Sequence, residues 1–229
     1  MAARRYGQQS AVVRALELVG ERWALLIVRD LLVGPRRYTD LKQNLPRIPT
    51  NILSDRLKEL QHADVIRRLP LAHGLAYALT EHGRDLEPVI LGLARWGLRS
   101  LGEPAHGDLP TPDSLTVDLL AAGDTDAASR LGTAVYDLQV TGFVLTIQVA
   151  GDELTVRPGP SEHATVVIGC GPDLRALFGG ATSGTALQSN APTGTARTGP
   201  ALTVLAGDPA LLGPFCETFA AGRVLPAPA

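Results

Sequence analysis

The sequence predicts an α+β protein in two parts, and three observations carry that prediction. Up to about residue 100 the apolar residues recur at helical spacing, whereas after residue 113 they alternate between glycine turns, as strands do. Between the two regimes, Leu101–Pro112 gathers three prolines and two glycines among polar residues, which is linker chemistry. The expected domains are therefore 1–104 and 113–229.

In the first part, Ser10 stands where an N-cap would start a helix running to Val19, with Val12, Val13, Leu16 and Val19 on one side and Gly20 ending it. Glu21–Leu32 reads as a second, very apolar helix containing Trp23, Leu25, Leu26, Ile27, Leu31 and Leu32, stopped by Gly34-Pro35. A third helix is expected to start at Thr39 and to carry Leu41 and Leu45 before Pro46. The fourth spans Thr50–His62. Its Leu53, Leu57 and Leu60 recur at i, i+4 and i+7 and must face inward, so Asn51, Asp55, Lys58 and His62 point outward with Ser54 on the flank. A short basic hairpin follows, Val65–Leu69 against Ala76–Leu79. Thr80 then caps a long last helix, Glu81 to about Leu101, whose stripe Leu86, Ile90, Leu93, Trp96 and Leu101 exceeds what a small domain needs.

In the second part, Leu115–Leu120 reads as a strand and Asp126–Leu131 as a short helix. Tyr136–Val140, Phe143–Ala150 and Leu154–Arg157 read as strands separated by Gly142 and Gly151-Asp152. Thr165–Ile168 is a further strand, Pro172–Phe178 a short helix, Leu202–Leu205 a last strand and Pro209–Phe219 a closing helix. The Gly-, Thr-, Ser- and Ala-rich stretch Gly179–Pro200 is expected to be a loop.

Composition narrows the function. Residues 1–106 hold 16 Lys/Arg against 11 Asp/Glu, net +5, whereas residues 107–229 hold 5 Arg against 12 Asp/Glu, net −7. Only the first part is suited to a polyanion. No run approaches the ~18 apolar residues of a membrane span, and Met1–Tyr6 lacks the apolar region of a signal peptide, so a cytoplasmic protein without membrane association is expected. Cys170 and Cys216 are too few for a disulfide framework, have no metal-ligand spacing and read as small buried residues. The five histidines are scattered, and neither a catalytic set nor a phosphate-binding loop is apparent. We therefore expect no enzyme activity, no metal and no cofactor.

Two helices joined by a proline break and followed by a basic hairpin form a winged helix-turn-helix, which places its second helix in the major groove of double-stranded DNA. Arg36, Arg37, Lys42 and Arg47 cluster around the third helix, Arg67 and Arg68 enter the wing, and His73 lies at its tip. Such cations, with Thr39 and Thr50 at helix starts, suit phosphate contacts. Base reading falls to Asn51, Ser54, Asp55 and Lys58: Asn bridges adenine, Lys donates to guanine, and Asp accepts from cytosine's amino group. Arg56, beside the core face, either reaches a phosphate or braces the third helix.

The segments Val19-Gly20-Glu21-Arg22-Trp23 through Leu32, Gly34-Pro35-Arg36-Arg37-Tyr38-Thr39-Asp40-Leu41, Arg56-Leu57-Lys58-Glu59-Leu60, Tyr77, Leu79-Thr80-Glu81 with Gly83, and Trp96 closely resemble the HxlR-type bacterial transcription regulators over roughly residues 10–100. The resemblance implies a homodimer paired through its first and last helices, here Val12, Leu16, Ile90, Leu93 and Trp96, on a palindromic operator. Two departures matter. Many members carry a cysteine just before the first helix, which serves some as an oxidant sensor. This chain has Ser10 there, and a hydroxyl forms neither a sulfenic acid nor a disulfide. The wing, Leu71-Ala72-His73-Gly74-Leu75-Ala76-Tyr77, lacks the family's usual prolines and arginine, leaving Arg67 and Arg68 as its main charges.

In the second part, Leu154–Gly159, Pro172–Phe178 and Leu202–Leu212 with their Gly207-Asp208-Pro209 turn resemble the sterol carrier protein type 2 fold. That resemblance implies an apolar cavity for a small hydrophobic effector, with Phe143, Phe178, Leu187, Phe215 and Phe219 as candidate lining; ordinary core is the competing reading for each. The expected function is a sequence-specific transcription regulator, a repressor, responsive to such a ligand. A second reading stays open, in which the chain is a lipid-carrier or enzyme-like protein whose N-terminal half mainly dimerises.

Overall fold

A computed structural model of the chain describes residues 6–72, 74–171, 174–178 and 202–220. The backbone divides into two compact units, Met1–Ile90 and Leu91–Ala229. The division falls inside a helix rather than in the Pro/Gly segment after Leu101, where the sequence places it.

The first unit runs α1 (Ala11–Val19), α2 (Ala24–Val33), α3 (Tyr38–Asn44), α4 (Thr50–His62), β1 (Ile66–Leu71), β2 (Gly74–Leu79) and α5 (Glu81–Arg84), and α6 (Glu87–Leu98) starts within it. Its core is built from Ile27, Val28 and Leu31 of α2, Leu41 of α3, and Leu53, Leu57 and Leu60 of α4, all nearly inaccessible to solvent. The 4-3 leucine spacing thus faces inward as expected. β1 and β2 form an antiparallel hairpin pairing Ile66 with Leu79 and Leu71 with Gly74.

Several boundaries differ from expectation. Ser10 holds the N-cap position of α1, but its side chain makes no capping hydrogen bond. α2 starts at Ala24 rather than Glu21, because Trp23 takes a left-handed φ of 81° and Ala24 N donates to Glu21 O at 3.0 Å, closing a turn. Thr39 and Thr50 are not caps: α3 begins at Tyr38, and α4 begins at Thr50 itself after Pro49. The long last helix is two helices. In one continuous helix the Pro88 ring would meet the carbonyl of Arg84, and α5 ends there. Thr80 does cap α5, its hydroxyl accepting from Gly83 N at 3.0 Å.

The second unit contains the rest of α6, then α7 (Pro112–Ala122), α8 (Thr125–Leu131), β3 (Thr133–Val140), β4 (Phe143–Ala150), β5 (Glu153–Pro158), β6 (Val166–Cys170), α9 (Arg175–Phe178), β7 (Leu202–Gly207), a 3-10 turn at Pro209–Leu211 and α10 (Leu212–Thr218). The sheet order is β5-β4-β3-β6-β7, with β3 and β6 parallel and every other pair antiparallel. Tyr136, Leu138, Leu145, Ile147 and Ile168 of the sheet share one core with Leu115 and Leu119 of α7, Ala128 of α8, and Phe215 and Phe219 of α10.

The expected strand Leu115–Leu120 is therefore wrong: it lies in α7. A capping box starts that helix, Ser114 N donating to Thr111 Oγ1 at 3.1 Å and Thr111 N to Ser114 Oγ at 2.9 Å, and Pro112 occupies its first position. The closing helix also opens later than expected, after a 3-10 turn capped by Asp208, which accepts from Ala210 N at 2.9 Å. Gly179–Pro200, with Leu187, and His73 lie outside the described residues.

Candidate nucleic-acid interface

α3 and α4 are joined by a tight turn that is anchored from both sides. Leu45 and Ile48 are buried beneath it. Above it, the Lys42 ammonium donates to Pro46 O at 3.0 Å and to Ile48 O at 2.7 Å. Lys42, expected at a phosphate, instead ties down carbonyls that no helix satisfies. A second latch was not foreseen from the sequence. The Tyr38 hydroxyl donates to Thr50 O at 3.0 Å and lies 3.3 Å from Ser54 Oγ, which itself lies 3.0 Å from Thr50 O. Ser54 is thus part-buried and bonded to the first turn of α4 rather than open for base reading. The only advance signal for Tyr38 was its place in the motif Gly34–Leu41 that carries the family resemblance.

Arg56 requires a correction as well. Its side chain is 12% exposed, and its guanidinium is ion-paired to Glu59 on the same helix and lies 3.8 Å from Glu21 Oε2. Of these two carboxylates, Glu21 links α4 to the corner before α2.

The remaining candidates fall into an exposed set and a half-exposed one. Asn51 and Lys58 are exposed on the outer side of α4, with Thr50 at its start, while Asp55 is half-buried between them. Arg37, Thr39 and Arg47 are exposed around α3. Arg37 N donates to Asp40 Oδ2 at 2.8 Å, which fixes the start of that helix, and the Thr39 hydroxyl lies 3.4 Å from Asp40 Oδ1. Arg36 is half-buried. Its backbone bridges to Tyr77, with N···O distances of 3.0 and 2.7 Å, and so extends the wing by one pairing. Arg67 and Arg68 are both exposed on β1, opposite Ala78 and Tyr77. As adjacent strand residues their side chains leave opposite faces of the hairpin. Exposed cations and amides thus border the outer face of a helix whose inner face is leucine.

Of the residues expected at a dimer contact, Val12, Leu16, Leu93 and Trp96 are exposed, Trp96 to 71%. Ile90, at 5%, is instead buried within the chain.

In the second unit, Phe178, Phe215 and Phe219 are fully buried core side chains, and Phe143 packs partly buried against them. The Phe215 ring lies 4.9 Å from those of both Tyr136 and Phe219. Among the described residues, the buried Tyr136 hydroxyl has no hydrogen-bond partner, and burial raises its pKa. Asp137, also buried, accepts from Ser161 N at 3.0 Å, and the Thr146 hydroxyl lies 2.8 Å from its Oδ1. Cys170 and Cys216 are both buried; burial first, and Glu217 second, push the Cys216 thiol pKa up.

Residues 18–104 match the family described as HxlR-like helix-turn-helix. An HTH-type transcriptional regulator of Mycobacterium tuberculosis is 45% identical over 97 residues, covering 41% of this chain; the chain spans 61% of that protein's length. The Bacillus subtilis regulators YvaP and YodB are 33% and 34% identical over 86 and 85 residues, and the chain covers 80% and 76% of them. The solved structure of the regulator YtcD is 35% identical, covers 39% of this chain and 94% of its own, and superposes with a TM-score of 0.37. Through residues 18–104, the chain belongs to the HxlR-like helix-turn-helix family of transcription regulators.

Proposed function

We propose that the chain is a sequence-specific DNA-binding repressor that acts as a homodimer on a palindromic operator, with α4 in the major groove. The observation that carries this reading is the division of α4: Leu53, Leu57 and Leu60 sealed in the core, Asn51 and Lys58 exposed on the outside. Arg37, Arg47, Thr39 and Thr50 flank that outer face and supply phosphate contacts, and Arg67 and Arg68 supply the wing. The exposed Val12 and Leu16 of α1, and separately the exposed Leu93 and Trp96 of α6, supply apolar side chains for contact with a second copy. Among the described residues no helix is long and apolar enough to cross a membrane.

The second unit is the effector part, resembling the sterol carrier protein type 2 fold and holding a small apolar ligand. The Tyr136 hydroxyl, buried without a partner among the described residues, supports this, since such a group costs about 1–3 kcal/mol, which an accepting ligand group removes. Ligand binding lowers operator affinity to the extent that it favours a wrong spacing of the two recognition helices. Tight ligand binding with unchanged operator affinity contradicts this part.

A pair of substitutions tests the DNA reading. Arg37→Ala is expected to weaken binding to all duplexes and reduce the salt slope by about 0.9. Asn51→Ala is expected to relax preference at one base pair and leave the slope alone. If neither changes binding, the placement of the site is wrong.

A further inference from the structure

We infer that Arg56 is a positioning residue: through Glu21 it ties the recognition helix to the corner between α1 and α2, and so sets the angle at which Asn51 and Lys58 are presented. The inference rests on the DNA-binding reading of α4.

The three inward leucines seat α4, but apolar contact is non-directional and does not by itself stop a helix from rolling on its seat. Directional restraint comes from polar groups. At the N-terminus of α4 the restraint is the Tyr38 hydroxyl on Thr50 O. In the middle it is the charge pairing of Arg56, whose guanidinium lies 3.8 Å from Glu21 Oε2, an ion-pair distance rather than a hydrogen bond. Glu59 belongs to the same helix and cannot orient it. Glu21 does not: it sits in the corner Gly20–Trp23.

That corner is stiff. Gly20 N donates to Leu16 O at 2.8 Å, Ala24 N to Glu21 O at 3.0 Å and Ile27 N to Trp23 O at 3.0 Å. Trp23 holds its left-handed φ with the Arg22 guanidinium 5.4 Å above its ring. A Cβ at Gly20 would meet Leu16 O at 2.4 Å, so the chain there admits no side chain. The backbone that carries Glu21 is therefore held in place, and a shift of α1, which carries the exposed Val12 and Leu16, reaches α4 through the Glu21–Arg56 pair. Two carboxylates beside Arg56 also repel a phosphate, which removes the alternative role.

The test uses the full chain, a duplex selected by the wild type from a random library, and an unrelated duplex of equal length. Glu21→Gln removes a negative charge. If charge alone mattered, both duplexes would bind more tightly. The tether predicts that the selected duplex binds on the order of tenfold more weakly, the size of one weakened base contact, while the unrelated duplex does not lose affinity. Arg56→Gln should do the same with an unchanged salt slope, and the double variant should be no worse than Arg56→Gln alone. The inference is overturned if Glu21→Gln tightens the selected duplex, if the two effects add, or if Arg56→Gln lowers the slope by about 0.9 as a lost phosphate contact would. Should Arg56→Gln not fold, Glu21→Gln carries the test, since that side chain is 42% exposed. Should the wild type select no sequence, the DNA reading fails separately and amide exchange decides the tether. Faster exchange over Leu53–His62 in Glu21→Gln then supports it, and unchanged exchange overturns it.

Discussion

Replacing Lys42 with methionine keeps an unbranched apolar stem and removes one ammonium. That ammonium sits 2.7 Å from Ile48 O and 3.0 Å from Pro46 O, in the turn that sets the start of α4. Hydrogen bonds to a charged group contribute ~1.5–3 kcal/mol each when sheltered. Lys42 is half-exposed, so water replaces part of what is lost, and the combined cost is about 1–2 kcal/mol. With a urea dependence of about 2 kcal/mol/M, the midpoint of the first unit's transition should fall by about 0.5–1 M. The assay is urea denaturation of the full chain, paired with a salt titration of DNA affinity. The stability should drop and the salt slope should stay. An unmoved midpoint together with a slope reduced by about 0.9 would refute the reasoning and return Lys42 to the phosphates.

Gly83→Ala should cost about 1–3 kcal/mol in urea denaturation. The new Cβ lies 2.0 Å from Val65 O, a carbonyl that cannot retreat while it accepts from Thr80 N at 3.0 Å; a neutral variant contradicts the close approach. Asp137→Ala should destabilise the second unit by about 1–3 kcal/mol and speed exchange at the Ser161 amide, because Ser161 N loses its buried acceptor, whereas the Thr146 hydroxyl keeps Gly159 O at 2.8 Å. Cys216, with its thiol pKa raised, carries less thiolate than an ordinary cysteine at pH 8. It should alkylate far more slowly in the native chain than in urea, as peptide mapping would show; rapid native alkylation contradicts its burial.

How much was legible in advance depended on whether a feature is local. α4 was readable to the residue, because Pro49 bounds it and its leucines recur on one face over two turns. The hairpin and β3 to β5 were readable from alternation and glycine turns. Leu115–Leu120 misled because Leu-Thr-Val mimics a strand, although Thr111, Pro112 and Ser114 already spelled a helix start. Pro88 likewise announces the break between α5 and α6, although the apolar stripe runs on across it. The family's motif residues around Trp23, Tyr38 and Trp96 were legible as a set, but their individual roles were not. Whether a cation meets a phosphate, a carbonyl or a carboxylate is decided by residues distant in sequence. Lys42 and Arg56 looked like Arg37 and Lys58 until the turn carbonyls and Glu21 were in place.

The most direct test of the account is the ratio of two affinities, measured at physiological salt with the full chain. One is for a duplex selected from a random library, the other for an unrelated duplex of equal length. The account predicts a ratio of about a thousand or more, with two related half-sites in the selected sequence. A ratio near one, with both affinities falling equally as salt rises, would contradict sequence reading by α4.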